Sequence, residues 1–248
     1  MDLSIKPVID KKDSYYSDMG NLPHLPFKVL CVGKSHLSGK TTIAVNFFAR
    51  LYDSHFEGKN MYIISKSIGI DNKIDNLIKV KEIPSLNLYK SYDDKMLGKL
   101  YDMLESQYKL FVTKGEKPPN LLFYFDDVSY DGSLKRRGGN GGIYNKIFMN
   151  GRHINASCFS CIQAYTDALL NARRNLTALI FFNVSDKDLD LILDEHLFLS
   201  NRKEFKKRIR KSLKNSKHNF ICVNYSQPLE LMYQNEKFEP IDISDLLD

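Results

Sequence analysis

The stretch Lys28–Thr42 limits the possible folds of this chain more than any other. An apolar run, Val29–Val32, leads into a polar loop that holds Gly33 and Gly39, and an amphipathic segment, Thr41–Tyr52, follows at once. This order predicts a strand, a loop and a helix. The loop amides and the positive end of such a helix point at one spot, which favours a bound phosphate group.

The loop also matches the core of the G-x-x-x-x-G-K-[ST] pattern of nucleotide-binding proteins. In that pattern the lysine, here Lys40, contacts the β- and γ-phosphates of ATP, and the hydroxyl of Thr41 coordinates Mg²⁺. The first glycine of the pattern falls at position 34, where this chain has Lys34, and Gly33 stands one place early. The loop conformation therefore stays open, and a glycine turn before an ordinary helix is the alternative. The residues expected to contact the nucleotide are Gly33, Ser35, His36, Leu37, Ser38, Gly39, Lys40, Thr41 and Thr42.

The length and composition allow one large α/β domain, since 43% of the 248 residues are apolar and can bury a core, and two domains are possible but not required. We expect an N-terminal arm at 1–26, an ATPase domain at 27–235 and an acidic, poorly ordered tail at 236–248. Four cysteines without a secretory leader favour a reducing compartment, and no apolar run is long enough to cross a bilayer. Cys158 and Cys161 form a C-x-x-C without a second pair at metal-site spacing, which favours packing over metal binding.

Strands and helices are expected to alternate along the chain. Apolar runs predict strands at Met61–Ile64, Leu121–Phe125, Ala156–Ile162 and Ala178–Val184. A long helix is indicated by apolar residues one helical turn apart, namely Met96, Leu100, Leu104, Tyr108 and Phe111. Two last runs, 220–225 and 229–233, predict a C-terminal β-hairpin. The alternation predicts an α/β fold with a mainly parallel central sheet, helices on both faces, and the active site at the carboxyl ends of the strands.

Two carboxylates, Asp126 and Asp127, end the apolar strand that begins at Leu121. A carboxylate in that position, facing a phosphate loop, typically holds Mg²⁺, and its neighbour orients the attacking water. We assign Asp126 to the metal and Asp127 to the water; a turn that merely ends the strand is the alternative. Gln163 ends another predicted strand, and if the two strands are neighbours its amide lies beside the γ-phosphate.

Two arginines are candidates for stabilising the charge that develops on a triphosphate. Arg152 precedes the strand that ends at Gln163, and Arg173 follows the next short helix. The planar guanidinium group suits this task because it can donate two parallel hydrogen bonds to phosphate oxygens. Either arginine can instead form a structural salt bridge or contact DNA, and the residues alone do not decide.

The positive charge of the chain is concentrated in one segment, 201–217, which holds nine Lys or Arg residues against Glu204. The remaining chain is slightly acidic, since the whole has a formal net charge of +6. This predicted basic helix either grips DNA phosphates or forms a solvated face that keeps the protein soluble. The candidates for DNA contact are Lys207 and Arg210 in this helix, and Lys135, Arg136 and Arg137 beside a glycine-rich stretch. Without a groove-reading motif, binding independent of DNA sequence is expected.

An ordered set of short segments carries a family resemblance. It consists of Phe125–Val128, Gly151–Ser157, Gln163, Ala172–Thr177 and Phe182–Ser185. With the phosphate loop, this set resembles the poxvirus-type genome-packaging ATPases of large DNA viruses and virophages, which belong to the FtsK–HerA superfamily of ring translocases. The resemblance extends over roughly residues 25–235.

The resemblance implies a RecA-like P-loop ATPase that uses ATP and Mg²⁺ to pump double-stranded DNA into a preformed capsid. It matches Lys40 and Thr41 to the phosphate-loop pair, Asp126 to the metal carboxylate and Gln163 to the sensing glutamine. It implies a ring of roughly five or six copies, in which Arg152 or Arg173 of one subunit reaches the nucleotide of the next.

It also implies a capsid or portal-vertex partner and a location in the host cytoplasm, at the viral factory or on the virion. The chain departs from the superfamily at Lys34 and at Asp127, where cellular translocases carry glutamate.

Two other functions remain open at this point. One is a DNA translocase of the same superfamily that does not package genomes; such proteins usually carry an added domain for reading DNA or anchoring to a membrane. The other is an assembly or scaffold protein that binds nucleotide with little turnover, which the substitution at Lys34 keeps in consideration.

Overall fold

The computed structural model describes residues 19–35, 38–128 and 142–246. An eight-stranded sheet lies at the centre of these residues. Its strands are β1 (Lys28–Val32), β2 (Met61–Ser65), β3 (Leu88–Tyr89), β4 (Leu121–Asp126), β5 (Ala156–Ile162), β6 (Ala178–Phe181), β7 (Ile221–Asn224) and β8 (Tyr233–Gln234). Their order across the sheet is β3-β2-β4-β5-β1-β6-β7-β8. All neighbours from β3 to β6 are parallel, whereas β7 pairs in antiparallel fashion with both β6 and β8, which confirms the predicted mainly parallel sheet.

Helices cover both faces of this sheet. They are α1 (Lys40–Asn46), α2 (Asn72–Val80), α3 (Asp94–Lys114), α4 (Gly142–Asn150), α5 (Leu170–Arg174), α6 (Asp186–His196), α7 (Arg202–Lys214) and α8 (Leu229–Met232). A π-helical turn, Phe47–Leu51, continues α1 without a break. Side chains of β1 alternate between the faces: Val29 and Cys31 pack with α1, and Leu30 and Val32 pack with α6 and α7. Because β1 is buried at every position, the loop that follows it is held by a rigid base.

The predicted long helix is confirmed as α3, which ends where Gly115 adopts the left-handed conformation with φ +73°. Its buried stripe differs from the predicted one at the start of the helix. The residues that face the core are Leu97, Tyr101, Leu104 and Tyr108. Met96 is exposed instead, since the apolar pattern permits two adjacent stripes and the packing of α3 against α4 selects one of them.

The C-terminal hairpin is confirmed, because β7 and β8 pair in antiparallel fashion. The strand predicted at 229–233 is wrong, however: these residues form the single turn α8, and the strand begins at Tyr233. Pro228 stands just before α8, and its fixed φ suits the entry to a helix.

The expectation of a poorly ordered tail at 236–248 is also wrong for the residues up to 246. Phe238, Ile243 and Leu246 are buried, and Arg208 of α7 forms an ion pair with Asp245. Three apolar side chains thus hold this acidic segment against the domain, and the Asp245 carboxylate joins it to the basic helix.

Candidate active site

The phosphate loop lies at the carboxyl end of β1 and leads directly into α1. The Gly33 amide extends the strand ladder by donating to the Ile162 carbonyl at 3.1 Å. At the other end of the loop, Gly39 precedes α1 with φ +91°, a conformation that side chains strongly disfavour. The two glycines therefore mark the points where the backbone turns into and out of the loop.

Gly33 allows the loop to fold back on itself. A Cβ atom at this position would lie 2.6 Å from Ser38 Cβ and 2.7 Å from Ser38 Oγ, well inside van der Waals contact. Lys34, the departure from the sequence pattern, is exposed and contributes its carbonyl, which accepts a hydrogen bond from Ser38 Oγ at 2.8 Å. Gly33 therefore permits the close approach within the loop that the sequence pattern assigns to a glycine at position 34.

Lys40 opens α1, and its side chain is buried above the loop. Its ammonium group donates to the Gly33 carbonyl at 2.5 Å and to the Lys34 carbonyl at 3.4 Å. Thr41 is half-buried, and Thr42 is exposed with its hydroxyl accepting from Lys73 Nζ at 2.9 Å. The same loop contains Ser35, which is exposed, whereas the predicted contacts His36 and Leu37 lie outside the described residues.

Asp126 is the last residue of β4 and is 8% exposed. Its Oδ2 accepts a hydrogen bond from Ser65 Oγ at 2.9 Å, and Ser65 stands directly opposite on β2. Burial raises the pKa of the Asp126 carboxyl, while the Ser65 hydrogen bond and the Lys40 charge oppose this rise. The sequence does not single out Ser65, because its only signal is its place as the polar residue at the end of a buried strand.

Asp127 and Gln163 contact each other at the ends of neighbouring strands. The strands β4 and β5 are paired, as the prediction for Gln163 required. Gln163 Nε2 donates to Asp127 Oδ2 at 2.6 Å, and the Asp127 amide donates to the Cys161 carbonyl at 3.0 Å. Asp127 adopts φ +57°, which is rare for residues other than glycine. Its Oδ1 is buried and has no hydrogen-bond partner among the described residues.

This arrangement suits Mg²⁺ together with a nucleotide. Mg²⁺ prefers oxygen ligands and is usually held by one or two protein groups plus substrate phosphates and water. The Asp126 carboxylate, the Thr41 hydroxyl and the unpartnered Asp127 Oδ1 supply such oxygens at the carboxyl edge of the sheet. Within the described ranges, no cluster of three or more His, Cys, Asp or Glu side chains could hold a metal ion by itself.

The two cysteines of the C-x-x-C motif pack in different layers. Cys158 lies with α3 and α4 on one face of the sheet, and Cys161 lies with α1 on the other. Both are fully buried, and burial raises the pKa of each thiol well above its ordinary value. The motif therefore serves packing, as the sequence favoured.

The candidate arginines do not lie in the site of their own chain. Arg152 is exposed at the amino end of β5, and Gln163 follows its carboxyl end, so the seven residues of the strand, about 23 Å at about 3.3 Å per residue, separate the two. The pKa of Lys28, at that same edge of the sheet, is lowered mainly by burial and secondly by the Arg152 charge. Arg173 is 14% exposed, donates to Glu195 Oε1 at 2.7 Å and lies over the ring of Tyr165.

The basic helix α7 is largely paired with the acidic helix α6. Arg202 pairs with Asp194, Lys206 with Asp190 at 2.6 Å and Arg210 with Asp186 at 2.6 Å. Arg210 also donates to Asn183 and to the Val184 carbonyl, so its guanidinium group is engaged within the chain.

The side of α7 opposite its buried apolar stripe of Phe205, Ile209 and Leu213 carries four exposed lysines within about one quarter of the helix circumference. This lysine stripe consists of Lys203, Lys207, Lys211 and Lys214. The other basic candidates, Lys135, Arg136 and Arg137, lie outside the described residues.

No helix in the described part of the chain is long and apolar enough to span a membrane.

Comparison with known proteins gives one family and several similar structures. Residues 16–229 match the model of a family described as Poxvirus A32 protein. No curated protein sequence matches. The genome packaging NTPase B204 from Sulfolobus turreted icosahedral virus 2, in complex with AMPPCP, is 14% identical with a TM-score of 0.57 over 87% of this chain and 98% of that chain.

Two further structures are similar to the same degree. The DNA-packaging ATPase B204 from Sulfolobus Turreted Icosahedral Virus is 15% identical with a TM-score of 0.58 over 88% of this chain and 98% of that chain. The pCW3 conjugation coupling protein TcpA, in a monomer form with ATPgS, is 13% identical with a TM-score of 0.58 over 90% of this chain and 63% of that chain. These likenesses show the predicted P-loop ATPase fold.

We expect the Gly33→Ala variant to bind ATP more weakly by about tenfold or more, or ~1.4 kcal/mol, because its Cβ forces Ser38 and the loop apart. The double variant Gly33→Ala/Ser38→Gly removes the atoms that clash and is expected to recover part of the affinity. Titration calorimetry with Mg²⁺ and ATP on the three proteins checks this. Equal affinity of the wild-type and Gly33→Ala proteins would contradict the described loop geometry.

The Asp126→Asn variant is expected to be more stable than the wild-type protein at pH 7 without nucleotide. Because the pKa of Asp126 is raised in the folded state above its ordinary value of 3.8, the wild-type protein loses unfolding free energy as the pH rises through that raised pKa. The asparagine variant does not, so the stability difference should shrink toward acidic pH. Urea denaturation from pH 4 to pH 8 measures it, with the exposed Glu116→Gln as control. A variant that is less stable than the wild-type protein at pH 7 would refute this.

Proposed function

The chain belongs to the Poxvirus A32 protein family, and on that premise we propose that it is an ATP-hydrolysing motor that moves double-stranded DNA into a viral capsid. The similar structures named above include DNA-packaging enzymes of other viruses, which supports this function. ATP is the proposed substrate, with Mg²⁺ bound beside it. The ATPase domain is proposed to extend from 27 to 235 and the N-terminal arm from 1 to 26.

One observation carries the proposal. The parallel strands β1, β4 and β5 are neighbours in the sheet, and their carboxyl ends bring the phosphate loop, the two carboxylates and Gln163 to one edge. The contact of 2.6 Å between Gln163 and Asp127 joins two residues that are 36 positions apart in the chain. A loop that only holds phosphate needs neither of these residues, whereas hydrolysis needs a group that orients water.

In the proposed reaction the loop amides and Lys40 bind the β- and γ-phosphates, and Lys40 exchanges its loop carbonyls for phosphate oxygens. Asp127 accepts a hydrogen bond from a water molecule and aligns it with the γ-phosphorus, opposite the bond to ADP. That bond breaks as the new P–O bond forms, and the proton of the water leaves through Asp127. Asp126 and Thr41 would hold Mg²⁺, which would supply positive charge beside the phosphates.

Gln163 is proposed to report the state of the nucleotide. Its amide now holds Asp127 Oδ2, and the same amide can donate to a γ-phosphate oxygen when ATP binds. Exchange between these two acceptors releases or restrains the carboxylate that orients water. Because Gln163 continues directly from β5, the exchange is coupled to the segment that leads to α5 and Arg173.

We assign the trans-acting arginine to Arg152 or Arg173, acting between copies in a homo-oligomeric ring. Arg152 is exposed and lies at the edge opposite its own phosphate loop, so only the site of another copy is within its reach. Arg173 must leave Glu195 before it can contact a phosphate. A capsid or portal-vertex protein is the proposed docking partner, and the host cytoplasm and virion are the proposed locations.

DNA contact is assigned to the lysine stripe of α7. Lys207 belongs to it and is 81% exposed, whereas the guanidinium group of Arg210 is engaged with α6. The buried apolar stripe and the ion pairs to α6 fix α7 to the domain, and the lysines on its solvent-facing side remain available to phosphates. Such contacts bind any DNA sequence and weaken as salt is added.

Phosphate release per subunit is expected to rise with protein concentration and with double-stranded DNA, because each site is completed by a neighbouring copy. The arginine that acts in trans is identified by its alanine variant, Arg152→Ala or Arg173→Ala, which should lose activity about a thousandfold. Mixing that variant with Lys40→Ala should restore part of the rate, since mixed rings contain intact sites. A rate that is independent of concentration and DNA, with no recovery on mixing, would exclude a shared site.

The triple variant Lys203→Gln/Lys207→Gln/Lys211→Gln is expected to bind DNA more weakly, and the slope of log affinity against log salt should fall by about two to three. The matched control is Lys95→Gln/Lys99→Gln/Lys114→Gln, which removes equal charge from exposed positions of α3. Fluorescence anisotropy with a labelled duplex at several salt concentrations measures both. Equal slopes for the two triple variants would place DNA contact elsewhere.

A further inference from the structure

The turn between α7 and β7 brings a histidine to the phosphate loop. His218 Nδ1 lies 3.3 Å from the position that a Cβ atom would occupy on Gly39. The histidine is exposed, and the reaction described above does not use it. Nothing in the sequence around it marks this proximity, since His218 is 179 positions away from Gly39.

This turn is held in place at both of its ends. The His218 amide donates to Ser216 Oγ at 3.3 Å, and Asn219 Nδ2 donates to the Ser212 carbonyl of α7 at 3.1 Å. The next residue, Phe220, is buried, and its ring packs against Phe182 with centroids 5.6 Å apart. Since Phe182 donates its amide to the Val32 carbonyl of β1, the turn is built onto the same strand that presents the phosphate loop.

The position of His218 across the sheet indicates which part of a nucleotide it meets. Asp126, Asp127 and Gln163 lie on the side of β1 where β5 and β4 follow, and they define the γ-phosphate end. His218 lies on the other side of β1, where β6 and β7 follow. A triphosphate that runs through the loop toward the carboxylates leaves its nucleoside on the side of His218.

We propose that His218 contacts the nucleoside of bound ATP, with its imidazole ring stacked on the adenine base. The turn holds the imidazole ring, and no partner among the described residues buries it. An aromatic ring beside the loop gives the adenine base a surface on which to stack, which the phosphate-binding groups do not provide. This inference rests on the proposed ATP site and adds the determinant of nucleoside binding to it.

The test compares one ligand that carries a nucleoside on a chain of three phosphorus atoms with one that has the chain alone. Titration calorimetry with Mg²⁺ compares AMPPCP with inorganic tripolyphosphate on the full chain. His218→Ala should bind AMPPCP about fivefold more weakly or worse, because base stacking on an aromatic ring contributes at least about this factor. Its affinity for tripolyphosphate should not change. His218→Phe should recover the affinity for AMPPCP, since phenylalanine retains an aromatic face.

Two control variants separate the possible failures. His153→Ala, exposed at the opposite edge of the sheet, should match the wild-type protein, and Lys40→Ala should lose both ligands. Unchanged AMPPCP binding by His218→Ala, or an equal loss of both ligands, would overturn the role of His218 while the ATP site stands. If the wild-type protein binds neither ligand, the proposed function itself fails.

Discussion

A carboxylate buried at the end of a strand beside a buried ammonium group is the constraint on which this structure depends. Asp126 and Lys40 are both 8% exposed, and burial raises the pKa of the Asp126 carboxyl. Ser65 donates to the carboxylate and the loop carbonyls accept from the ammonium group, so both charges are accommodated. These partners come from β2 and from the phosphate loop, and only a parallel sheet with this strand order brings them to one edge.

The charged residues away from this edge mainly stabilise the domain. The ion pairs between α6 and α7 are spaced one helical turn apart, since Asp186, Asp190 and Asp194 face Arg210, Lys206 and Arg202. They orient α7 so that its lysine stripe faces outward, which links a structural role to the proposed DNA contact. Arg173 likewise belongs to a network with Glu195, Tyr165 and His196, in which burial lowers the pKa of His196 to about 4 and keeps the imidazole neutral.

The sequence predicted those parts of the fold and site that are set by local pattern. Asp126, Asp127 and Gln163 could be found because each follows an apolar run, and the order of the runs predicts their shared edge. Contacts that depend on distant residues could not be found in this way.

The partner of Arg210 and the position of His218 depend on how α7 packs on the sheet, and the buried tail depends on three scattered apolar residues.

The most direct test of the ATP-hydrolysing centre compares ATP binding with phosphate release in the wild-type and Asp127→Asn proteins. We expect both proteins to bind ATP alike and the variant to release phosphate at least about a hundredfold more slowly, because its amide orients water poorly. Equal rates, or a wild-type protein that binds ATP without releasing phosphate, would contradict this expectation.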